Sequence, residues 1–161
     1  MKYGAVILAA GQGSRFHGKK QFFEFMGKPL WCHVYDKVKH VMHGDENIAV
    51  VGVEIEGGTT RSKSVLNGLR ALKRDTQRVI ILEAARPLVT EEQIHLLLTS
   101  EAPSQSFVMP LVDTVIMRDG TYLDRDKMYD LLTPQAFDYH KLLEAYQTGK
   151  EDIPKRREIS A

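Results

Sequence analysis

A short stretch of small and basic residues, 8–22, has the composition of a phosphate-binding loop. Four small residues let the backbone approach a ligand closely, and their successive N–H groups can surround an anion: Ala9, Ala10, Gly11 and Gly13. Arg15 and Lys20 then add two positive charges. When an oxygen nucleophile attacks phosphorus, negative charge builds on the phosphate oxygens, and fixed cations stabilise it. The stretch therefore predicts binding of a nucleoside triphosphate and transfer of a nucleotidyl group.

The spacing of the glycines separates this stretch from two common phosphate motifs. Gly11 and Gly13 are followed by a glycine only at Gly18. The stretch is therefore neither the dinucleotide-binding G-x-G-x-x-G nor the G-x-x-x-x-G-K-[ST] loop. On spacing alone, a flexible glycine turn whose charges face solvent is the alternative interpretation.

Apolar runs and helical patterns alternate along the chain, and these elements must position the loop. Continuous apolar runs predict buried strands at residues 3–9, 47–51, 78–82 and 106–110. Amphipathic patterns predict helices at residues 29–43, 62–74, 90–99 and 138–147. We predict an α/β fold with a doubly wound, mostly parallel, Rossmann-like sheet whose ligands lie beyond the carboxyl ends of the strands. A small antiparallel hairpin is predicted at residues 113–123, around the turn Asp119-Gly120.

Composition and charge exclude several classes of protein. The chain has 161 residues, of which 43% are hydrophobic, and this is the size of a single domain. With 22 basic and 21 acidic residues the formal charge is +1, so no nucleic-acid partner is expected. The apolar run at residues 5–10 is far shorter than the roughly 20 residues that span a bilayer, so no membrane association is expected. The single cysteine, Cys32, cannot form an internal disulfide, which favours a cytoplasmic location.

Four motifs, in order, resemble those of a known enzyme family. The first comprises Leu8-Ala-Ala-Gly-x-Gly-x-Arg15, Lys20-Gln-Phe22 and Gly27-Lys-Pro-Leu30, and it resembles the signature of the sugar-nucleotidyltransferase superfamily. Three more motifs lie at residues 57–69, 83–87 and 132–137. Together they are similar to the 2-C-methyl-D-erythritol 4-phosphate cytidylyltransferase family and its close relative, ribitol-5-phosphate cytidylyltransferase. The resemblance implies transfer of a cytidylyl group from CTP to 2-C-methyl-D-erythritol 4-phosphate, with release of pyrophosphate, in isoprenoid precursor synthesis.

The resemblance also implies a role for each motif. Arg15 and Lys20 would be the catalytic charges that hold the triphosphate. The nucleotide would be bound by Ala9, Ala10, Gly11, Gly13, Gly58 and Ser64. The polyol phosphate would be bound by Arg86, Asp113, Thr114, Arg125 and Thr133. Arg61 would support a second glycine turn, at Gly57 and Gly58. Glu83 matches the family's aspartate near Mg²⁺, a metal that prefers oxygen ligands.

The resemblance further implies a homodimer, in which the region of Arg125 reaches the neighbouring active site. The polyol's phosphate oxygen is already a nucleophile at neutral pH, so no general base is required. We therefore expect direct in-line transfer without a covalent enzyme intermediate, with Mg²⁺ bridging the phosphates.

The chain departs from the family pattern at several points. Glu83 stands where relatives have aspartate, so its carboxylate extends one methylene further. The spacing from Arg15 to Lys20 is shorter than in relatives, which predicts a tighter phosphate loop. Relatives carry longer loops near residues 52–56 and 149–151, so we expect one cytidylyltransferase domain, residues 1–161, that lacks those loop segments. These departures leave open a ribitol-5-phosphate cytidylyltransferase for surface polymers and a nucleotide-binding homologue without catalysis. A uridylyl or guanylyl transferase would share only the first loop, and residues 57–69 argue against it.

Overall fold

The apolar runs of the sequence form the strands of a central sheet. The computed structural model describes residues 1–13 and 18–149. The strands in those residues are β1 (Tyr3–Leu8), β2 (Glu24–Phe25), β3 (Lys28–Pro29), β4 (Ile48–Val51), β5 (Arg78–Glu83), β6 (Ser104–Pro110) and β7 (Tyr129–Asp138). The α-helices are α1 (Leu30–Met42), α2 (Arg61–Ala71), α3 (Glu91–Thr99) and α4 (Tyr139–Gln147).

The larger sheet has five strands in the order β4-β1-β5-β7-β6. Strands β4, β1 and β5 run parallel to one another. Strand β7 is antiparallel to both of its neighbours, β5 and β6. The predicted α/β fold with a mostly parallel sheet is therefore confirmed, and the antiparallel part lies at one side of the sheet.

Strand β7 is the largest element that the sequence patterns did not predict. Pro134 normally argues against a strand inside a sheet, because proline has no N–H for the ladder. The pairing of β6 with β7 is irregular between Leu131 and Gln135, so Pro134 lies in a bulge where the ladder is already interrupted. The strand therefore accommodates the proline.

Helices cover both faces of the sheet, as a doubly wound fold requires. On one face Ala5 and Ile7 of β1 pack in a core with residues of α1 and α3. On the other face Val6 and Leu8 pack with residues of α2 and α4. Successive side chains of a strand point to opposite faces, so a strand buried on both sides is apolar throughout. This explains the continuous apolar run that begins the chain.

The helices begin and end close to the predicted residues. Thr60 caps α2 by accepting a hydrogen bond from the Lys63 N–H at 3.2 Å. Thr90 and Gln93 form a reciprocal capping box at the start of α3. α2 ends at Ala71, three residues before the predicted end, because Leu72 has an extended backbone.

The end of β6, the start of β7 and the chain that joins them form a segment, residues 108–131, which we call the arm. The predicted hairpin lies within it as a single antiparallel bridge between Ile116 and Tyr122. The Met117 N–H donates to the Thr121 carbonyl at 2.8 Å, and the Leu123 N–H donates to the Val115 carbonyl at 3.0 Å. A separate antiparallel hairpin joins β2 to β3. Among the described residues, the structure contains no helix long and apolar enough to cross a membrane.

Candidate functional site

Three loops meet at one edge of the sheet, where the predicted chemistry is concentrated. Leu8, at the end of β1, pairs with Val51 of β4 and with Glu83 of β5. The loops that follow these three strands therefore leave the sheet side by side. This edge is the carboxyl end of the parallel strands, where ligands bind in folds of this class.

The loop after β1 packs closely on the turn after β4. The Ala9 N–H donates to the Val51 carbonyl at 2.7 Å. Gly52 has a φ of +101°, and a Cβ at that position would lie 2.6 Å from the Ala10 nitrogen. Only glycine allows both this backbone conformation and this approach. Gly13 has a φ of +66°, and its carbonyl accepts a hydrogen bond from the Gly18 N–H at 3.4 Å.

Of the two predicted catalytic cations, Lys20 lies within the residues that the structure describes. Arg15 lies outside the described residues. Lys20 is exposed and begins a short 3₁₀ turn, Lys20–Phe22, which follows the loop. The structure therefore places the turn of Lys20 at the same edge of the sheet as the small residues.

Gln21 is a buried residue of this turn to which the sequence analysis gave no role. Its side-chain nitrogen donates to the Ala9 carbonyl at 2.5 Å and to the Gly11 carbonyl at 2.9 Å. Only 6% of the residue is exposed. A polar residue between Lys20 and Phe22 in a matched motif was the available signal, but nothing in the spacing indicated that it faces inward.

The second glycine turn contacts the first loop. A Cβ on Gly57 would lie 2.5 Å from the Ala10 Cβ, so the two loops are already in contact. The Gly58 N–H donates to the hydroxyl of Ser64 at 3.0 Å, and Ser64 is buried. The structure thus brings together Ala10, Gly58 and Ser64, three of the residues predicted to surround the nucleotide.

Glu83, the predicted metal-side carboxylate, is paired with Arg61 at the start of α2. The Glu83 Oε1 atom accepts from Arg61 Nη2 at 2.8 Å and from Arg61 Nε at 3.2 Å. Burial raises the pKa of the Tyr146 hydroxyl in α4, and the charge of Arg61 opposes part of that rise. Arg61 therefore lies near both Glu83 of β5 and Tyr146 of α4. Its side chain is 51% exposed, so the ion pair contributes little to stability.

A groove of about 440 Å³ lies beside this pair and contains two of the residues predicted to bind the polyol phosphate. Arg86 and Thr133 both line it. The Thr133 hydroxyl is buried and has no hydrogen-bond partner among the described residues. A buried hydroxyl without a partner is costly, so it suits a hydrogen bond to a bound ligand.

The other predicted polyol residues lie on the arm. Asp113, Thr114 and Arg125 are exposed, and none of them lines the groove. The Arg125 guanidinium donates to the Val112 carbonyl at 2.9 Å, within the arm itself. One copy of the chain therefore brings only part of the predicted polyol-binding set together.

Lys37 of α1 is a second residue that the sequence analysis missed. Its ammonium group donates to the carbonyls of Pro87 at 2.6 Å and Val89 at 3.0 Å. These residues belong to the loop that carries Arg86. One lysine in an amphipathic helix gives no sequence signal for such a contact.

The chain has extensive similarity to known proteins. The family described as IspD, 2-C-methyl-D-erythritol 4-phosphate cytidylyltransferase, matches residues 4–156. The 2-C-methyl-D-erythritol 4-phosphate cytidylyltransferase of Halalkalibacterium halodurans is 33% identical, over 94% of this chain and 78% of its own length. The protein of that name from Haemophilus influenzae is 32% identical, over 90% of this chain and 75% of its own. The structure of 4-diphosphocytidyl-2C-methyl-D-erythritol synthase from Anaerococcus prevotii superimposes with a TM-score of 0.75 at 26% identity, covering 91% of this chain and 75% of that one.

Proposed function

We infer, because this chain belongs to the 2-C-methyl-D-erythritol 4-phosphate cytidylyltransferase family, that it transfers a cytidylyl group from CTP to 2-C-methyl-D-erythritol 4-phosphate. Pyrophosphate is the second product, and the reaction belongs to isoprenoid synthesis. The observation that carries this function is the contact between the loop after β1 and the second glycine turn, beside the groove of Arg86 and Thr133. These features support a nucleotide site and an acceptor site at the same edge of the sheet.

We propose that the reaction is a direct in-line displacement. A phosphate oxygen of the polyol attacks the α-phosphorus of CTP, and the bond from that phosphorus to the oxygen of the leaving pyrophosphate breaks. The attacking oxygen is already ionised, so no residue has to remove a proton. Arg15 and Lys20 stabilise the charge that builds on the phosphate oxygens.

The residues at this edge of the sheet fit a magnesium ion that takes most of its ligands from the substrate phosphates and water. Glu83 would contribute one carboxylate, since only one of its oxygens accepts from Arg61. The described residues contain no cluster of three or more acidic, histidine or cysteine side chains that could hold a metal. Magnesium commonly takes one or two carboxylates together with phosphate oxygens and water. When bound, it would neutralise charge on the phosphates and so favour attack on the α-phosphorus.

The function is tested by measuring pyrophosphate release with each nucleoside triphosphate against a panel of polyol phosphates. Activity with CTP and 2-C-methyl-D-erythritol 4-phosphate is expected, and ribitol 5-phosphate is the comparison acceptor. Lys20→Ala and Arg15→Ala should each lower kcat by about 10²-fold or more. Lys73→Ala is the control, because Lys73 is exposed and pairs with Glu46, away from the site. Binding of CTP without any pyrophosphate release would favour a non-catalytic homologue.

We also propose that the chain acts as a homodimer through its arm. Eight large apolar side chains of the arm are about half exposed or more: Val108, Met109, Val112, Ile116, Met117, Tyr122, Tyr129 and Leu131. Such a concentration is typical of a protein interface. A dimer would also explain why Arg125 does not line the groove of its own chain, since it could serve the groove of the partner.

The dimer is tested by Leu131→Glu, which places a charge on the apolar surface of the arm. Light scattering coupled to size exclusion should show the molar mass falling from that of a dimer to that of a monomer. Leu96→Glu is the matched control, because Leu96 of α3 is also about half exposed but lies outside the arm. A monomeric wild-type chain with full activity would contradict the proposal. We place the enzyme in the cytoplasm, because its one cysteine, Cys32, suits a reducing compartment.

A further inference from the structure

Gln21 presses a buried carboxamide against the loop that follows β1. A carboxamide nitrogen has two N–H donors. Here the carbonyls of Ala9, at 2.5 Å, and Gly11, at 2.9 Å, use both of them. Only 6% of Gln21 is exposed, so water has little access to replace these hydrogen bonds. The side chain therefore holds two carbonyls of the loop in a fixed direction.

The direction of these carbonyls determines the direction of two N–H groups. The peptides that join Ala9 to Ala10 and Gly11 to Gln12 are trans, and the N–H of a trans peptide points away from its carbonyl. The N–H groups of Ala10 and Gln12 therefore point to the side of the loop opposite Gln21. Among residues 1–13 and 18–149, neither of these groups donates to another protein atom.

The side opposite Gln21 is the one that a ligand can reach. Gln21 is buried, whereas Ala10 is half-buried and Gly11 and Gln12 are exposed. Two N–H groups that face the same open side form an anion-binding surface, because their partial positive charges add. Gln21 also follows Lys20 directly in the 3₁₀ turn. The same hydrogen bonds thus join the turn of the catalytic lysine to the loop.

We propose that Gln21 is a positioning residue for the triphosphate of CTP. It orients the N–H groups of Ala10 and Gln12 toward the phosphates, and it fixes the turn of Lys20 against the same loop. The proposal rests on the proposed function, since CTP is the ligand. The backbone of the loop thus binds the phosphates, and one buried side chain fixes the direction of that backbone.

The test compares three variants with the wild-type chain. Gln21→Met keeps the size of the side chain and removes both donors, and Gln21→Asn keeps the carboxamide but is too short to reach both carbonyls. Gln77→Met is the control, because Gln77 is exposed and its side chain accepts one hydrogen bond, from the Lys2 N–H, at the opposite end of β5. Calorimetry gives the Kd of CTP and of pyrophosphate, each with Mg²⁺. Steady-state assays give kcat and the KM for 2-C-methyl-D-erythritol 4-phosphate.

Both Gln21 variants should raise the Kd of CTP and of pyrophosphate by about ten-fold or more. The KM for the polyol phosphate should stay unchanged, and the control should match the wild type. If Gln21→Met does not fold, Gln21→Asn alone decides the outcome. Unchanged Kd values in a folded Gln21 variant overturn the proposal. Equal weakening of the polyol phosphate also overturns it, because that pattern indicates a general structural role. A wild-type chain that binds no CTP overturns the proposed function itself and this inference with it.

Discussion

Gly58 offers a sharp test of the predicted nucleotide site, because the structure leaves no room for a side chain there. A Cβ on this residue would lie 2.3 Å from the Lys63 Cβ and 2.8 Å from the Ser64 nitrogen. Non-bonded carbon atoms pack at about 3.5 Å, so Gly58→Ala must separate the glycine turn from the start of α2 by roughly 1 Å. That displacement breaks the hydrogen bond from the Gly58 N–H to Ser64, now 3.0 Å long.

The functional cost follows from this displacement. A misplacement of about 1 Å in a binding site can lower the rate about 10²-fold. We therefore expect Gly58→Ala to lower kcat/KM for CTP by about 10²-fold, mainly through KM. The KM for 2-C-methyl-D-erythritol 4-phosphate should not change, because Arg86 and Thr133 line a separate groove. The extra methyl group should also destabilise the fold by about 1–3 kcal/mol.

The assay is steady-state pyrophosphate release with CTP varied at saturating polyol phosphate, and then with the two substrates exchanged. Thermal unfolding curves of all variants identify an assay temperature at which every variant is folded. Gly44→Ala is the matched control, since a Cβ on Gly44 would meet nothing within 4 Å. A Gly58→Ala enzyme with a normal KM for CTP would refute the assignment of this turn to the nucleotide. Equal losses for both substrates would refute it as well.

Three further variants test other parts of the site and the core. Glu83→Gln removes the charge that pairs with Arg61. The kcat should therefore fall, and the Mg²⁺ concentration that gives half the maximal rate should rise. An unchanged Mg²⁺ concentration for half the maximal rate would show that Glu83 does not bind the metal. Lys37→Met frees the carbonyls of the loop that carries Arg86, the predicted polyol-binding arginine, so the KM for the polyol phosphate should rise several-fold while that for CTP stays constant. Lys39→Met, on the exposed side of the same helix, should change neither value. Gly68→Ala places a Cβ 2.4 Å from a side-chain methyl of Val6 in β1. The free energy of unfolding in urea titrations should therefore fall by about 1–3 kcal/mol. An unchanged urea midpoint would contradict the close packing of α2 on the sheet.

The sequence was sufficient to predict the parallel strands of the central sheet and the four α-helices of the described residues. Buried parallel strands are apolar on both faces, so β1, β4 and β5 were recognisable from composition alone. The capping residue Thr90 located the start of α3 to within one residue. The contact between the first loop and the second glycine turn follows from the same topology, because parallel strands end at one edge of the sheet.

The missed features depend on contacts between residues that are distant in sequence. Pro134 obscured β7, since its tolerance depends on a bulge in the pairing with β6. Gln21 and Lys37 act by reaching backbone carbonyls elsewhere in the fold, and no spacing rule identifies such partners. The proposed role of Arg125 would depend on a second copy of the chain, which no pattern within one chain reveals. A single sequence carries local signals well, but it does not specify which side chain meets which carbonyl.

The crowding around Ala10 limits how this enzyme can evolve. A Cβ on Gly52 would lie 2.6 Å from the Ala10 nitrogen, and one on Gly57 would lie 2.5 Å from the Ala10 Cβ. A larger residue at Gly57 is tolerated only after Ala10 has shrunk or moved, and one at Gly52 only after the backbone of Ala9 and Ala10 has moved. Evolutionary substitutions at Ala10, Gly52 and Gly57 must therefore be concerted, with strong epistasis among these three positions. Libraries that seek a different nucleobase preference should randomise them jointly, since substitutions made one at a time will yield only losses.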